Sequence, residues 1–329
     1  MNIRRRDFLK GVAGGTVLAA TGQASTALAA EKKMPEGAVG ILYDATLCIG
    51  CMSCMVACKQ ANDMPYEHAG SEIIYDNPQD LSASTLNVIK KYADGNGSVK
   101  DRETDGYSFV KRHCMHCVDP GCVSACPVSA MSKDPVNGIV SYDEKKCIGC
   151  RYCQVACPYN IPKFQWASAF PRLHKCQLCS HLVKQGGISA CCGGCPTGAS
   201  IFGPVTELLA EAKRRMGMTA GQAYTFPIGE VGAPLRTERN AASYVPKIYG
   251  EHEVGGAQVL LLAGVPFDKL GMPELPDTSY ASIAEGIQHT LYRGMVLPAV
   301  LLAGLAYVVR KNSKDTDGAG NNQDRRPPA

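Results

Sequence analysis

Apolar and polar positions along the chain fall into short runs rather than long periodic blocks. Gly40-Ile41-Leu42-Tyr43-Asp44 and Gly138-Ile139-Val140-Ser141-Tyr142-Asp143 read as brief strands, each leading into a dense group of cysteines. Ile201 opens another strand after the last cysteine group. Leu208, Leu209, Ala212 and Met216 recur at helical spacing and predict a surface helix within 204–218. Residues 219–290 are interrupted by Pro and Gly and hold one strand-like run, Gln258-Val259-Leu260-Leu261-Leu262, so they read as an extended arm. Residues 60–106 form a polar insertion with two Gly-rich turns and no legible chemistry.

Two uncharged runs stand near the ends. The first, Gly11 to Leu28, follows Arg4-Arg5-Arg6-Asp7-Phe8-Leu9-Lys10 and precedes a small-x-small site, Ala27-Leu28-Ala29. That order is an export signal, residues 1–29. Arg5-Arg6 followed by x-Phe-Leu-Lys resembles the twin-arginine type, which carries folded proteins. The second run, Gly294 to Val309, has 16 residues, about 24 Å at helical rise. Extended back to Leu291 it predicts a C-terminal membrane helix over 291–309, with Arg310, Lys311 and Lys314 marking a cytoplasmic tail, 310–329.

Composition adds one decisive feature. Lys and Arg exceed Asp and Glu by four, and removal of the signal leaves about +1, too little to argue for nucleic acid. One Trp and 7 Phe are few for a core of this size, whereas 17 Cys are far more than an ordinary enzyme carries. Cys48, Cys51, Cys54 and Cys58 are spaced x2, x2, x3; Cys114, Cys117, Cys122 and Cys126 are spaced x2, x4, x3. Cys147, Cys150, Cys153 and Cys157 repeat x2, x2, x3, and Cys176, Cys179, Cys191 and Cys195 are spaced x2, x11, x3. Cys192 is left over as a small buried residue with no assigned role.

Thiolates at x2 intervals wrap three corners of a cubane iron–sulfur cluster, and the fourth cysteine, set back by three, ligates the other cluster of a pair. Pro127, Pro158 and Pro196 follow the fourth cysteine in three groups; Lys59 breaks the rule in the first. Disulfides suit an exported chain, but cysteines this close together cannot all reach distant partners. Zinc knuckles use C-x2-C pairs but leave the third and fourth cysteines without a role. His113, His116 and His174 neighbour cysteines and are structural on this reading, since the sixteen grouped cysteines already supply every ligand. The segments 42–51 and 140–150 are an internal repeat, and each unit of cysteine loop, short helix and short strand follows the α+β ferredoxin plan.

Residues 41–204 resemble the four-cluster ferredoxin-type subunits of membrane-linked formate, dimethyl sulfoxide, nitrate and polysulfide oxidoreductases. Leu42-Tyr43-Asp44-x3-Cys48, Cys114-Met115-His116-Cys117-Val118-Asp119-Pro120, Tyr244-Val245-Pro246-Lys247, Tyr249-Gly250-Glu251 and the run from Gln258 to Phe267 narrow this further. With the signal and the C-terminal run, they resemble the iron–sulfur subunits of hydrogenase-2-type complexes nearly end to end.

The resemblance implies an α+β fold of tandem bacterial-ferredoxin-like domains over 30–204 and four [4Fe–4S] clusters in a nested scheme. Cys48, Cys51, Cys54 and Cys195 would hold cluster 1, and Cys58, Cys176, Cys179 and Cys191 cluster 2. Cys114, Cys117, Cys122 and Cys157 would hold cluster 3, and Cys126, Cys147, Cys150 and Cys153 cluster 4. It also implies a non-catalytic subunit on the periplasmic face of the cytoplasmic membrane. Its expected partners are the small and large subunits of a [NiFe] hydrogenase and an integral-membrane quinone-reactive subunit. The iron–sulfur subunit of a formate dehydrogenase or other molybdenum oxidoreductase is the alternative. No nucleotide-binding glycine motif and no further cysteine pair supports a catalytic chain.

Overall fold

The computed structural model describes residues 32–319 except 68, 69, 167 and 170. The export signal over 1–29 therefore lies outside the described residues, as does the end of the tail. The chain divides into two units: a body, Glu31–Ser282, and a second unit that takes in Ile283–Ala329.

The body is built on a four-stranded mixed sheet, ordered Gly229–Glu230, Ser200–Pro204, Val39–Asp44, Val259–Leu262. Strand Val39–Asp44 runs antiparallel to Ser200–Pro204, with Leu42 opposite Ile201, and parallel to Val259–Leu262, with Ile41 opposite Val259. Ile41, Leu42 and Tyr43 form an unbroken apolar run because both faces of this strand are covered. On one face Leu42, Ile201, Leu260 and Leu262 pack against Leu208 and Ala212 of helix Val205–Met216. On the other, Ile41, Tyr43, Phe202, Val259 and Leu261 join the larger core that contains the first, second and fourth cysteine groups. The sheet thus separates a helix layer from a cysteine layer.

The third group lies against a smaller core of Met131, Val140, Cys153, Phe164 and Leu173. Two short antiparallel ladders frame it, Met131–Lys133 with Val140–Tyr142 and Lys163–Phe164 with Leu173–His174.

Two expectations need correction. Residues 219–290 do not form an extended arm: strand Val259–Leu262 is wholly buried, and Tyr249, Val254, Val265, Phe267 and Leu270 are part of the main core. The ferredoxin loops spend their interior on cysteines, so this later segment supplies the apolar side chains they lack. The second correction concerns the membrane helix. Residues Tyr280–Ala319 do form one helix, capped by Ser279, whose Oγ accepts from the Ala281 amide at 3.1 Å. Among the described residues, however, no helix is long and apolar enough to cross a membrane. The uncharged run that prompted the expectation is, at about 24 Å, shorter than a hydrocarbon core of about 30 Å, and Pro298 sits inside it.

The insertion also gains an explanation. Helices that precede a Cys-Pro pair stop after one turn, as in Gly121–Ser124, Tyr152–Val155 and Ala190–Gly193, because the residue before proline is pushed out of the helical region. With Lys59 in place of proline, helix Ser53–Ala61 runs nine residues. The buried Lys59 ammonium then donates to Pro65 O and Ser84 O, both at 2.7 Å, and to Thr85 Oγ1 at 2.9 Å. Lys59 pins the insertion to the first cysteine helix.

Candidate metal centres

The loops entering the first and third cysteine groups are built alike down to single hydrogen bonds. Asp44 Oδ1 accepts from the Thr46 amide at 3.0 Å, and Asp143 Oδ1 accepts from the Lys145 amide at 3.0 Å. These side-chain turns aim the chain back so that the next residues wrap a centre. Tyr43 and Tyr142 lie within electrostatic reach of the leading sulfurs, Cys48 and Cys147, while the Tyr43 hydroxyl donates to Phe109 O at 3.0 Å.

A common device recurs two residues after the leading cysteine of every group. Gly50, His116, Gly149 and Leu178 all adopt left-handed backbone, with φ of 70, 49, 72 and 52°. In three of the groups that turn points an amide back at the leading sulfur: Gly50 N to Cys48 Sγ, Gly149 N to Cys147 Sγ and Leu178 N to Cys176 Sγ, each 3.4 Å. Two fourth cysteines accept in the same way, Cys126 Sγ from the Ala130 amide at 3.2 Å and Cys195 Sγ from the Ser200 amide at 3.4 Å. Amide donors converging on sulfur stabilise negative charge there and raise the potential of an iron–sulfur centre.

Sulfurs from different groups come together across the fold. Cys48 and Cys54 lie within electrostatic reach of Cys195, and Cys58 within reach of Cys179 and Cys191. Cys117 has Cys114, Cys122 and Cys157 around it, and Cys153 has Cys126, Cys147 and Cys150. Tyr75 faces Cys48 and Cys51. Links also run between these sets, from Cys54 to Cys191, from Cys176 to Cys114 and from Cys122 to Cys153. Cys51 and Cys150 are exposed, while the other cysteines are buried or half-buried.

Burial pushes the thiols of Cys54, Cys58 and Cys122 up to about 12 and that of Cys153 up to about 11. Such thiols ionise only when a cation of high charge sits among them, which is the chemistry of iron ligation. Cys191 behaves oppositely. A hydrogen bond from the buried thiol of Cys192 and then the Lys111 ammonium hold it well below its ordinary value, against the effect of burial. Among the described residues, no three His, Cys, Asp or Glu side chains converge closely enough for a single metal ion. Soft donors in groups and amides directed at their sulfurs fit [4Fe–4S] clusters.

The histidines act as backbone partners. His116 Nδ1 accepts from the Val140 amide at 3.0 Å, and His113 Nδ1 lies 3.0 Å from Cys114 O. Burial, followed by the Lys111 charge, lowers His113 to about 3, so it stays neutral. Sequence reasoning missed the buried cations beside the sulfurs, Lys111 and Lys175, and the half-buried Lys133.

A family described as a 4Fe-4S dicluster domain matches residues 106–205. The Hydrogenase-2 operon protein HybA of Escherichia coli O157:H7 is 45% identical over 318 residues, 95% of this chain and 97% of that protein. The chain belongs to the HybA family. Relatives beyond it include the formate dehydrogenase-O iron–sulfur subunit of Escherichia coli K12, 35% identical over 245 residues, 73% of each chain. The nitrate-inducible formate dehydrogenase iron–sulfur subunit of the same strain is 39% identical over 187 residues, 56% of this chain and 61% of that one. This HybA-family chain is an iron–sulfur electron-transfer subunit.

Proposed function

We propose that this chain is a periplasmic wire that moves electrons from a [NiFe] hydrogenase small subunit to an integral-membrane quinone-reactive subunit. Four [4Fe–4S] clusters carry them: Cys48, Cys51, Cys54 and Cys195 for cluster 1; Cys58, Cys176, Cys179 and Cys191 for cluster 2; Cys114, Cys117, Cys122 and Cys157 for cluster 3; Cys126, Cys147, Cys150 and Cys153 for cluster 4. When bound, such clusters supply one-electron storage and outer-sphere transfer. The chain's own residues hold the sulfurs in series, direct amide donors at them and keep water from the interior members.

The observation that carries this reading is the pattern of exposure. The sets link in the order 1, 2, 3, 4 through Cys54–Cys191, Cys176–Cys114 and Cys122–Cys153. The two exposed cysteines, Cys51 and Cys150, fall in the first and last sets. A series closed in the middle and open at both ends suits relay between two partners. Ile49 and Val56 are exposed beside Cys51, and Ile148, Tyr152 and Val155 beside Cys150, which gives both ends apolar docking surface.

The hydrogenase assignment rests on the HybA relative matched over nearly the whole of both chains. Arg5 and Arg6 would route the folded, loaded chain across the membrane, and its partner subunit would hold it there. The test is genetic. Loss of the chain should spare hydrogen–dye activity of the catalytic subunits and abolish hydrogen-dependent quinone reduction. Undiminished hydrogen-to-quinone flow would overturn the proposal, and copurification with a formate-oxidising subunit would install the formate dehydrogenase reading instead.

A further inference from the structure

Two lysines are buried next to the sulfur sets without a carboxylate to neutralise them. Lys111, on strand Gly106–Arg112, is 1% exposed, and its Nζ donates to Ser200 Oγ at 3.2 Å. Its charge acts on Cys191 and Cys54. Lys175 is 3% exposed; its Nζ donates to Val140 O and, at 3.0 Å, to Cys176 O, and lies 4.0 Å from Cys114 Sγ. The same ammonium acts on Cys122 and Cys157.

Several other buried or half-buried cations of the body have acids, whereas the half-buried Lys133 bonds Cys117 O, Gly138 O and Gln258 Oε1. Arg215 pairs with Asp44 and Glu211, Lys100 with Asp101, and Lys59 with Glu67. Among the described residues neither Lys111 nor Lys175 takes part in an ion pair with a carboxylate. An ammonium taken out of water costs several kcal/mol unless a counter-charge repays it. The negative charge available at both places is that of the sulfurs and whatever they ligate.

Their placement follows the order of the series. Lys111 lies within electrostatic reach of one sulfur from each of the first two sets, Cys54 and Cys191, and its Nζ bonds Ser200, whose amide donates to Cys195 Sγ of the first set. Lys175 stands between the second and third sets, bonded to the Cys176 carbonyl and facing Cys114.

We infer that Lys111 and Lys175 are fixed positive charges shared between neighbouring clusters, and that they raise the potentials of the interior clusters above the values their ligands alone would give. This rests on the four-cluster reading. Each electron makes a cluster one charge more negative, so a cation held beside it stabilises the reduced form more than the oxidised one. In a buried site that preference is little screened by water or salt. A cation at the first junction and one at the second favour the electron on both sides of each gap, so two of the three steps of the wire are served by two side chains.

The test uses the full chain, purified anaerobically with its partners, and follows each cluster by potentiometric titration with electron paramagnetic resonance. Iron and sulfide are counted on every sample. Lys111→Met and Lys175→Met should each shift the one-electron equilibrium of the adjoining interior clusters at least about tenfold toward the oxidised form, which is about 59 mV downward. Lys→Arg at either site should keep the wild-type potentials.

Unchanged potentials in fully loaded Lys→Met proteins would overturn the inference. If the Met variants fail to load, Lys→Gln and Lys→Arg decide: loading restored by Arg but not Gln supports a required charge. Loading by Gln with wild-type potentials refutes it. A wild-type protein lacking four clusters would instead sink the four-cluster reading itself, so the two failures are distinguishable.

Discussion

Gly50 and Gly149 occupy the same place in the two repeated loops, and replacing each by alanine separates the demand of the backbone from that of the surroundings. Both are left-handed, with φ of 70 and 72°, and both donate their amide to the leading sulfur at 3.4 Å. Alanine in that conformation costs about 1–2 kcal/mol at either site. Their neighbours differ. A Cβ on Gly50 would lie 2.5 Å from the Phe109 ring and 2.6 Å from the Tyr75 hydroxyl, whereas a Cβ on Gly149 meets nothing within 4 Å.

Phe109 has little room to yield. It is buried, its ring centroid lies 5.3 Å from that of Tyr75, and it sits edge-on to Tyr107 at 5.8 Å. Overpacking of this kind adds about 1–3 kcal/mol. Gly149→Ala should therefore cost about 1–2 kcal/mol and Gly50→Ala about 2–5 kcal/mol. At about 2–4 °C per kcal/mol for a body of this size, apparent unfolding midpoints should fall by about 2–8 °C and about 4–20 °C respectively. The assay is anaerobic thermal unfolding at one scan rate, with iron counted before each run, because loss of a cluster makes the transition irreversible. Equal shifts in the two variants, or a larger shift in Gly149→Ala, would refute the packing argument.

Two further outcomes follow from the same geometry. Cys195→Ala should lose about four irons from one cluster, whereas Cys192→Ala should leave the iron count unchanged; elemental analysis of the two variants checks this. Arg215→Met should destabilise the body by about 3–5 kcal/mol, because it leaves Asp44, wholly buried at the turn before Cys48, without its partner at 3.0 Å. Combining it with Asp44→Asn should recover part of the loss, read from the shared unfolding midpoint.

The cysteine loops were legible because ligand spacing is a local property of the chain. The repeat of Tyr43-Asp44 in Tyr142-Asp143 was visible too, although only the structure shows the aspartates closing turns and the tyrosines within electrostatic reach of the leading sulfurs. Helix Val205–Met216 announced itself by periodicity, but the burial of Arg215 within it did not. Residues 219–282 were misread as an arm because their order comes from distant partners. Val259–Leu262 is a strand by virtue of pairing with Val39–Asp44, more than two hundred residues away in sequence. Lys111 and Lys175 were missed for a related reason. A lysine signals a wet surface unless something anionic is known to lie beside it, and the sulfurs that face these two come from other segments of the chain.

Metal content tests the four-cluster wire most directly. Iron, acid-labile sulfide and zinc should be measured together on one anaerobically purified sample of the full chain. The four quartets require about sixteen irons and about sixteen sulfides per chain with zinc near zero. About eight irons, or stoichiometric zinc without sulfide, would contradict the four-cluster wire.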